Sequence, residues 1–115
     1  MSVVTPEGKV KMFVRKFMRT HFPSHFYYSP MGGAFGKAGM PDHLYLWNGI
    51  LVGIEIKADK GKLSSLQDET LKQMAAQGAL CAVVYGQDEA KMLRIKAAIL
   101  NEHAKRTANV ATSSV

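Results

Sequence analysis

Asp42, Glu55 and Lys57 are the residues of this sequence whose types and spacing could do chemistry. They stand in GMPDHLYLWNGILVGIEIKADKG, residues 39 to 61, a stretch otherwise composed like two β-strands meeting at Asn48-Gly49. Acids are poor strand formers, so their presence needs a reason. With a two-residue turn at Asn48 and Gly49, Trp47 faces Ile50 and Asp42 faces Glu55. Directly opposed side chains have Cβ atoms about 4.5 to 5.5 Å apart, and like charges there repel. Such a pair needs a shared proton or a cation. Side chains alternate along a strand, so Lys57 shares a face with Glu55 and hence with Asp42. Carboxylate oxygens at this separation suit Mg²⁺ or Mn²⁺. A lysine beside such an ion can hold a water or stabilise charge building on a phosphoryl centre. The patch has the make-up of a site for metal-assisted phosphodiester hydrolysis, provided no bulge near residue 53 turns the two acids apart.

The flanking sequence supplies elements that could position such a patch. Thr5, Pro6 and Glu7 open a helix with a capping hydroxyl, a first-position proline and a first-turn acid. Val10, Phe13, Val14, Phe17 and Met18 recur at helical spacing, while Lys9, Lys11, Arg15, Lys16 and Arg19 face elsewhere. Pro23 sets the end of this helix near His21. HFYYS, 25 to 29, reads as a short edge strand, and the glycine-rich run 30 to 39 as a loop. After the hairpin, Ser64 and Gln67 have capping-box spacing and Gly78 closes the helix they open. ALCAVVY then supplies a strand parallel to residues 50 to 58 through a right-handed crossover. A last helix spans 87 to 106, with Ala90, Leu93, Ala97 and Leu100 as its expected buried face.

The chain of 115 residues is expected to form one domain over 1 to 106, followed by a disordered tail, 107 to 115. Lys and Arg outnumber Asp and Glu by 15 to 9, and the net charge of +6 favours polyanionic partners. Cys81 is the single cysteine, which excludes an intrachain disulfide and a cysteine zinc site. No apolar run approaches the roughly 20 residues of a membrane span, and the N-terminus lacks a signal-peptide core. These features lead to an expectation of a cytoplasmic protein.

Pro41-Asp42, twelve intervening residues and Glu55-Ile56-Lys57 resemble the PD-(D/E)xK nuclease signature. With the following Gln67 helix and crossover strand, residues 36 to 86 are similar to the VRR-NUC branch of that superfamily. The Val-Arg-Arg tripeptide behind that name is missing; Val14-Arg15-Lys16 is merely similar. The resemblance implies an α/β, restriction-endonuclease-like mixed sheet of about four strands flanked by helices. It implies Asp42, Glu55 and the Ile56 carbonyl as Mg²⁺ or Mn²⁺ ligands, Glu7 as a further or supporting acid, and Lys57 at the attacking water. Gln67 matches a glutamine often found in the family, although a capping role accounts for it equally well. Implied too is cleavage of DNA to a 5′ phosphate and a 3′ hydroxyl.

Lys37, Lys60 and Lys62 on glycine-bearing loops, with Arg15 on the first helix, are the candidate DNA contacts. Tyr27, Tyr28 and Phe35 could stack on unpaired bases or pack against the first helix. His21, His25 and His43 read as structural or surface residues. Small stand-alone members of the family resemble homodimeric Holliday-junction resolvases, which points to branched DNA and a homodimer using Phe17, Phe22, Phe26 and Tyr28. The alternatives are a monomeric nicking or flap-directed nuclease and a catalytically silent DNA-binding module.

Overall fold

A computed structural model describes residues 3–30 and 37–109. Its elements are α1 (Pro6–His21), β1 (Phe26–Tyr28), β2 (His43–Trp47), β3 (Ile50–Lys57), α2 (Ser65–Ala76), β4 (Leu80–Tyr85) and α3 (Glu89–Asn109). The strands form one mixed sheet in the order β1-β2-β3-β4, antiparallel except for the parallel β3–β4 pair. This is the α/β arrangement that the sequence resemblance implies. Among the described residues no helix is long and apolar enough to cross a membrane.

The helix ends follow their local chemistry. Thr5 Oγ1 accepts from the Gly8 N–H at 3.0 Å, and α1 stops where the chain turns into Phe22 and Pro23. Ser64 and Gln67 form a reciprocal capping box at the start of α2. At its other end the Ala79 and Gly78 N–H groups donate to the Met74 and Ala75 carbonyls, a Schellman closure. Asp88 Oδ1 accepts from the Lys91 N–H at 2.9 Å to start α3.

The hairpin turn has positive φ at both central residues, 49° for Asn48 and 79° for Gly49. That conformation matches the twist of the flanking strands and favours this dipeptide. The register that follows sets Trp47 against Ile50 and runs without a bulge to His43 against Ile54. It gives the sheet two unlike faces. Tyr45, Ile50, Val52, Ile54, Ile56 and Val84 point to one, where they are buried against Val10, Val14, Phe17 and Met18 of α1 and Met92, Ile95 and Ile99 of α3. Leu46, Leu51, Gly53, Glu55 and Lys57 point to the other. There α2 comes close enough that a Cβ on Gly53 would lie 3.1 Å from Met74 Cε and 3.3 Å from Pro41 Cγ. Beyond α2 this face is open: Phe26, Tyr28, Leu46 and Leu51 are all exposed.

Three expectations change. The buried face of α3 is Met92, Ile95 and Ile99, while Ala90, Leu93, Ala97 and Leu100 are exposed. Both sets recur every three or four residues, so periodicity alone could not separate them; the set with the bulkier β-branched residues fills the sheet's core face. Phe17 and Phe22 are buried within the subunit, which removes them as dimer contacts. Finally, α3 continues to Asn109, three residues beyond its expected end. The rest of the expected tail, and Phe35, lie outside the described residues.

The corrected helix face predicts unequal truncation costs. Ile99→Ala should destabilise the fold by about 2–5 kcal/mol, the usual cost of emptying a buried isoleucine site. Leu100→Ala should cost less than about 1 kcal/mol. Urea denaturation of the two variants makes the comparison, and equal losses would contradict this orientation of α3.

Candidate active site

Glu55 lies toward the end of β3, one of the sheet's two interior strands, and is only 1% exposed. It faces the side of the sheet that carries α2, with Val83 of β4 beside it. Asp42 lies one residue before β2, at the place where the register continues to Glu55. The backbone secures it there: Asp42 Oδ2 accepts from the Ile56 N–H at 2.8 Å, and the Ser29 hydroxyl donates to the Asp42 carbonyl at 2.9 Å. A strand residue directs its N–H and C=O to the same edge, so the Ile56 carbonyl is aimed toward the Asp42 side as well. Lys57 follows on the same face as Glu55, partly buried, and its charge acts on Glu55.

The two carboxyl groups share a hydrogen bond and have opposite titration behaviour. Burial first, then the hydrogen bond to Asp42 and the Asp42 charge, push Glu55 up to about 8, with partial relief from Lys57 and the Ile56 N–H. Burial also works to raise Asp42. It is outweighed by the bond to Glu55, the Ile56 N–H and the Lys11 charge, which hold Asp42 below the usual carboxylate range. At neutral pH the pair therefore keeps one proton. Glu55 Oε2 is buried and, among the described residues, has no hydrogen-bond partner. An orphaned carboxylate oxygen beside a second, ionised carboxylate fits a divalent cation, which would supply the missing charge.

Other candidate residues fall at varied places. Glu7 reaches Asp42 only through Lys11, whose Nζ is 3.7 Å from Glu7 Oε2 and 3.6 Å from Asp42 Oδ1. Among the described residues no three His, Cys, Asp or Glu side chains are grouped to hold a metal, so Glu7 is not gathered with the pair. Gln67 Oε1 accepts from the Ser64 N–H at 3.0 Å, which commits that oxygen to the helix cap. Lys60 and Lys62 are exposed on the loop after β3. Lys37 lines a separate groove with Met40, Leu51, Met74 and Arg106. Arg15 lies 3.6 Å over the Tyr27 ring and meets His25 Nε2 at 2.9 Å.

Two further residues lie near the pair. Lys11 was legible as a helical neighbour of Glu7, four residues on, but its contact with Asp42 arises only when α1 docks on the sheet. His43 is buried on the core face, with Nδ1 3.0 Å from the Tyr45 hydroxyl. Burial lowers its pKa to about 4 against the opposing Asp42 charge, so it is a neutral, structural histidine at neutral pH, in line with its expected role.

No family model matches the sequence, and no curated protein matches it. Among solved structures the chain is similar to one described as "VRR_NUC domain", with a TM-score of 0.62 and 20% identity, over 77% of this chain and 94% of that one. The chain has the fold of a VRR_NUC domain.

The raised Glu55 pKa has a consequence for stability. A carboxyl shifted from 4.5 to about 8 by folding stabilises the protein while it is protonated, and that contribution is lost as pH rises through the folded value. His43 works in the opposite sense, but only between 6.5 and about 4. Between pH 6.5 and 8 the Glu55 effect stands clear of it. In EDTA the melting temperature should fall as pH rises across this window, and Glu55→Gln should remove most of the slope. Calorimetric scans at several pH values measure it; an equal slope in the variant would mean that Glu55 is ionised throughout.

Proposed function

We propose that this chain is a nuclease that hydrolyses DNA phosphodiester bonds with Mg²⁺ or Mn²⁺. The observation that carries the reading is Glu55: a buried carboxyl with an unpartnered oxygen, paired with Asp42 and followed by Lys57 on the open face of the sheet. The fold shared with a VRR_NUC domain supports it. Asp42, Glu55 and the Ile56 carbonyl hold the cation, with Glu7 in supporting distance of Asp42 through Lys11. When bound, the cation polarises the scissile phosphate and lowers the pKa of a water. Lys57 orients the attacking water and offsets charge on the phosphoryl oxygens. Asp42 and Glu55 give up their shared proton to bind the cation, so activity rises with pH as that proton is lost. The products carry a 5′ phosphate and a 3′ hydroxyl.

The preferred substrate in this reading is branched DNA, cut by a homodimer. Phe26 and Tyr28 of β1 are 66% and 56% exposed. Phe26 stands across the register from Leu46, and Leu46 from Leu51, both exposed. This makes an apolar stripe that ends at a free edge strand, two features that favour association. A two-fold dimer would hold two Asp42–Glu55 sites in fixed relation, as symmetrical cuts in a four-way junction require.

Purified protein incubated with labelled linear, flap and four-way DNA should cut only when Mg²⁺ or Mn²⁺ is present, and four-way DNA best. Asp42→Asn, Glu55→Gln and Lys57→Ala should each slow cleavage by on the order of 10²–10⁴-fold. Unimpaired cleavage by Glu55→Gln would falsify the site. Gln67→Glu preserves the capping box, so a large loss in that variant would assign Gln67 to the reaction rather than to its helix. In sedimentation at micromolar concentration the protein should be a dimer, and Phe26→Asp a monomer. A wild-type monomer that cuts junctions at full rate would instead favour the nicking or flap-directed form.

A further inference from the structure

The exposed side of α1 and the edge of β1 enclose a groove of about 740 Å³ on which Lys9, Lys11, Arg15, Lys16 and Arg19 all border. No acidic residue lines it. Among the described residues Lys9, Lys16 and Arg19 have no carboxylate partner, and Lys11 is the only one of the five with an ion pair. The floor is built rather than incidental: the Arg15 guanidinium carbon stands 3.6 Å over the Tyr27 ring centre and one of its nitrogens meets His25 Nε2, which positions a planar donor group. One end of the groove comes near Asp42 through two of its lining residues. Lys11 borders the groove and reaches Asp42 Oδ1, and Ser29, also on its wall, bonds the Asp42 carbonyl.

We infer that this groove is a phosphate-backbone track, the path by which a nucleic-acid strand runs to or from the Asp42–Glu55 site. Lys9 and Arg19 are separated by about 15 Å of helix, long enough to meet more than one phosphate of a strand whose charges rise about 3.4 Å each along the duplex axis. An anionic membrane is the poorer occupant. A helix that binds a lipid surface must offer its apolar face, and the apolar face of α1, Val10, Val14, Phe17 and Met18, is buried in the core. The track assigns the main DNA contacts to α1 rather than to the Lys37, Lys60 and Lys62 loops. It rests on the nuclease reading only for the identity of the strand that passes the acid pair.

The test is metal-free binding, so that cleavage does not enter. A short fluorescein-labelled DNA duplex is titrated with protein in EDTA between about 50 and 200 mM salt. The double variant Lys16→Ala/Arg19→Ala should bind about tenfold or more weakly at the low end. Its slope of log affinity against log salt should be shallower by about two, one for each lost phosphate contact. The control Arg94→Ala/Lys105→Ala removes the same charge from exposed positions of α3 and should stay within about twofold of wild type. Equal losses in the two double variants, or none in the first, overturn the track. So does loss of binding to phosphatidylserine vesicles in the first variant with its DNA affinity unchanged. The two readings fail separately: a protein that binds as described but never cuts removes the nuclease and leaves the track, whereas wild-type binding by Lys16→Ala/Arg19→Ala with cleavage abolished in Glu55→Gln does the reverse.

Discussion

The opposition of Asp42 and Glu55 is the constraint on which the arrangement of this protein turns. Two carboxyl groups, one of them 1% exposed, are brought together in the place where β-sheet sterics penalise like charges most. The fold tolerates this by leaving a proton between them and by aiming a backbone N–H and a lysine at the more exposed partner. Each device depends on strand register. A slip of one residue would carry Glu55 to the core face and set Ile54 and Ile56 toward α2. The Asn48-Gly49 turn, with its two positive φ values, is thus as much a part of the site as the acids are.

The cost of the pair is met on the far side of the sheet. Nearly all the large buried side chains lie between the core face and the α1–α3 layer, from Tyr45 and Ile54 to Met92 and Ile99. That layer supplies most of the buried apolar side chains, so the other face, where α2 packs, can also hold an acid pair, a lysine and an exposed apolar margin. The division explains how Glu55 can stand between Ile54 and Ile56 in one strand. Its neighbours pack on the core side, and it alone of the three turns toward the open side.

Most of this frame was legible because it rests on short-range chemistry. Thr5-Pro6, Ser64-Gln67 and Asn48-Gly49 each determine a cap or a turn within a few residues, and alternation then carries the register outward to Asp42 and Glu55. What was not legible depends on choices between elements. Two stripes of α3 had the same spacing, and docking on the sheet decided for Met92, Ile95 and Ile99. Phe17 and Phe22 had the look of surplus aromatic surface until the core enclosed them. Lys11 read as one of several outward cations, because nothing local to α1 announces that Asp42 will lie 3.6 Å away.

Lys11 also bears on how firmly Asp42 is held. Charge-assisted hydrogen bonds are typically about 2.7–2.9 Å long, whereas Lys11 stands 3.6 and 3.7 Å from its two carboxylates on a side chain that is 41% exposed. Exposed pairs of that kind contribute little to stability, so Lys11 neutralises Asp42 without locking it. A buried, bidentate arginine in the same place would hold Asp42 too firmly for anything to compete. The bond to Glu55, the Ile56 N–H and then the loose lysine keep Asp42 ionised, while Glu55 retains the proton. The pair is therefore asymmetric before any ligand arrives: Asp42 supplies the first negative charge, and Glu55 adds the second only when its proton is displaced. Burial of Glu55, set against the hydrogen bonds and the Lys11 charge at Asp42, creates that order, and the placing of the two acids follows from where β2 ends and β3 continues.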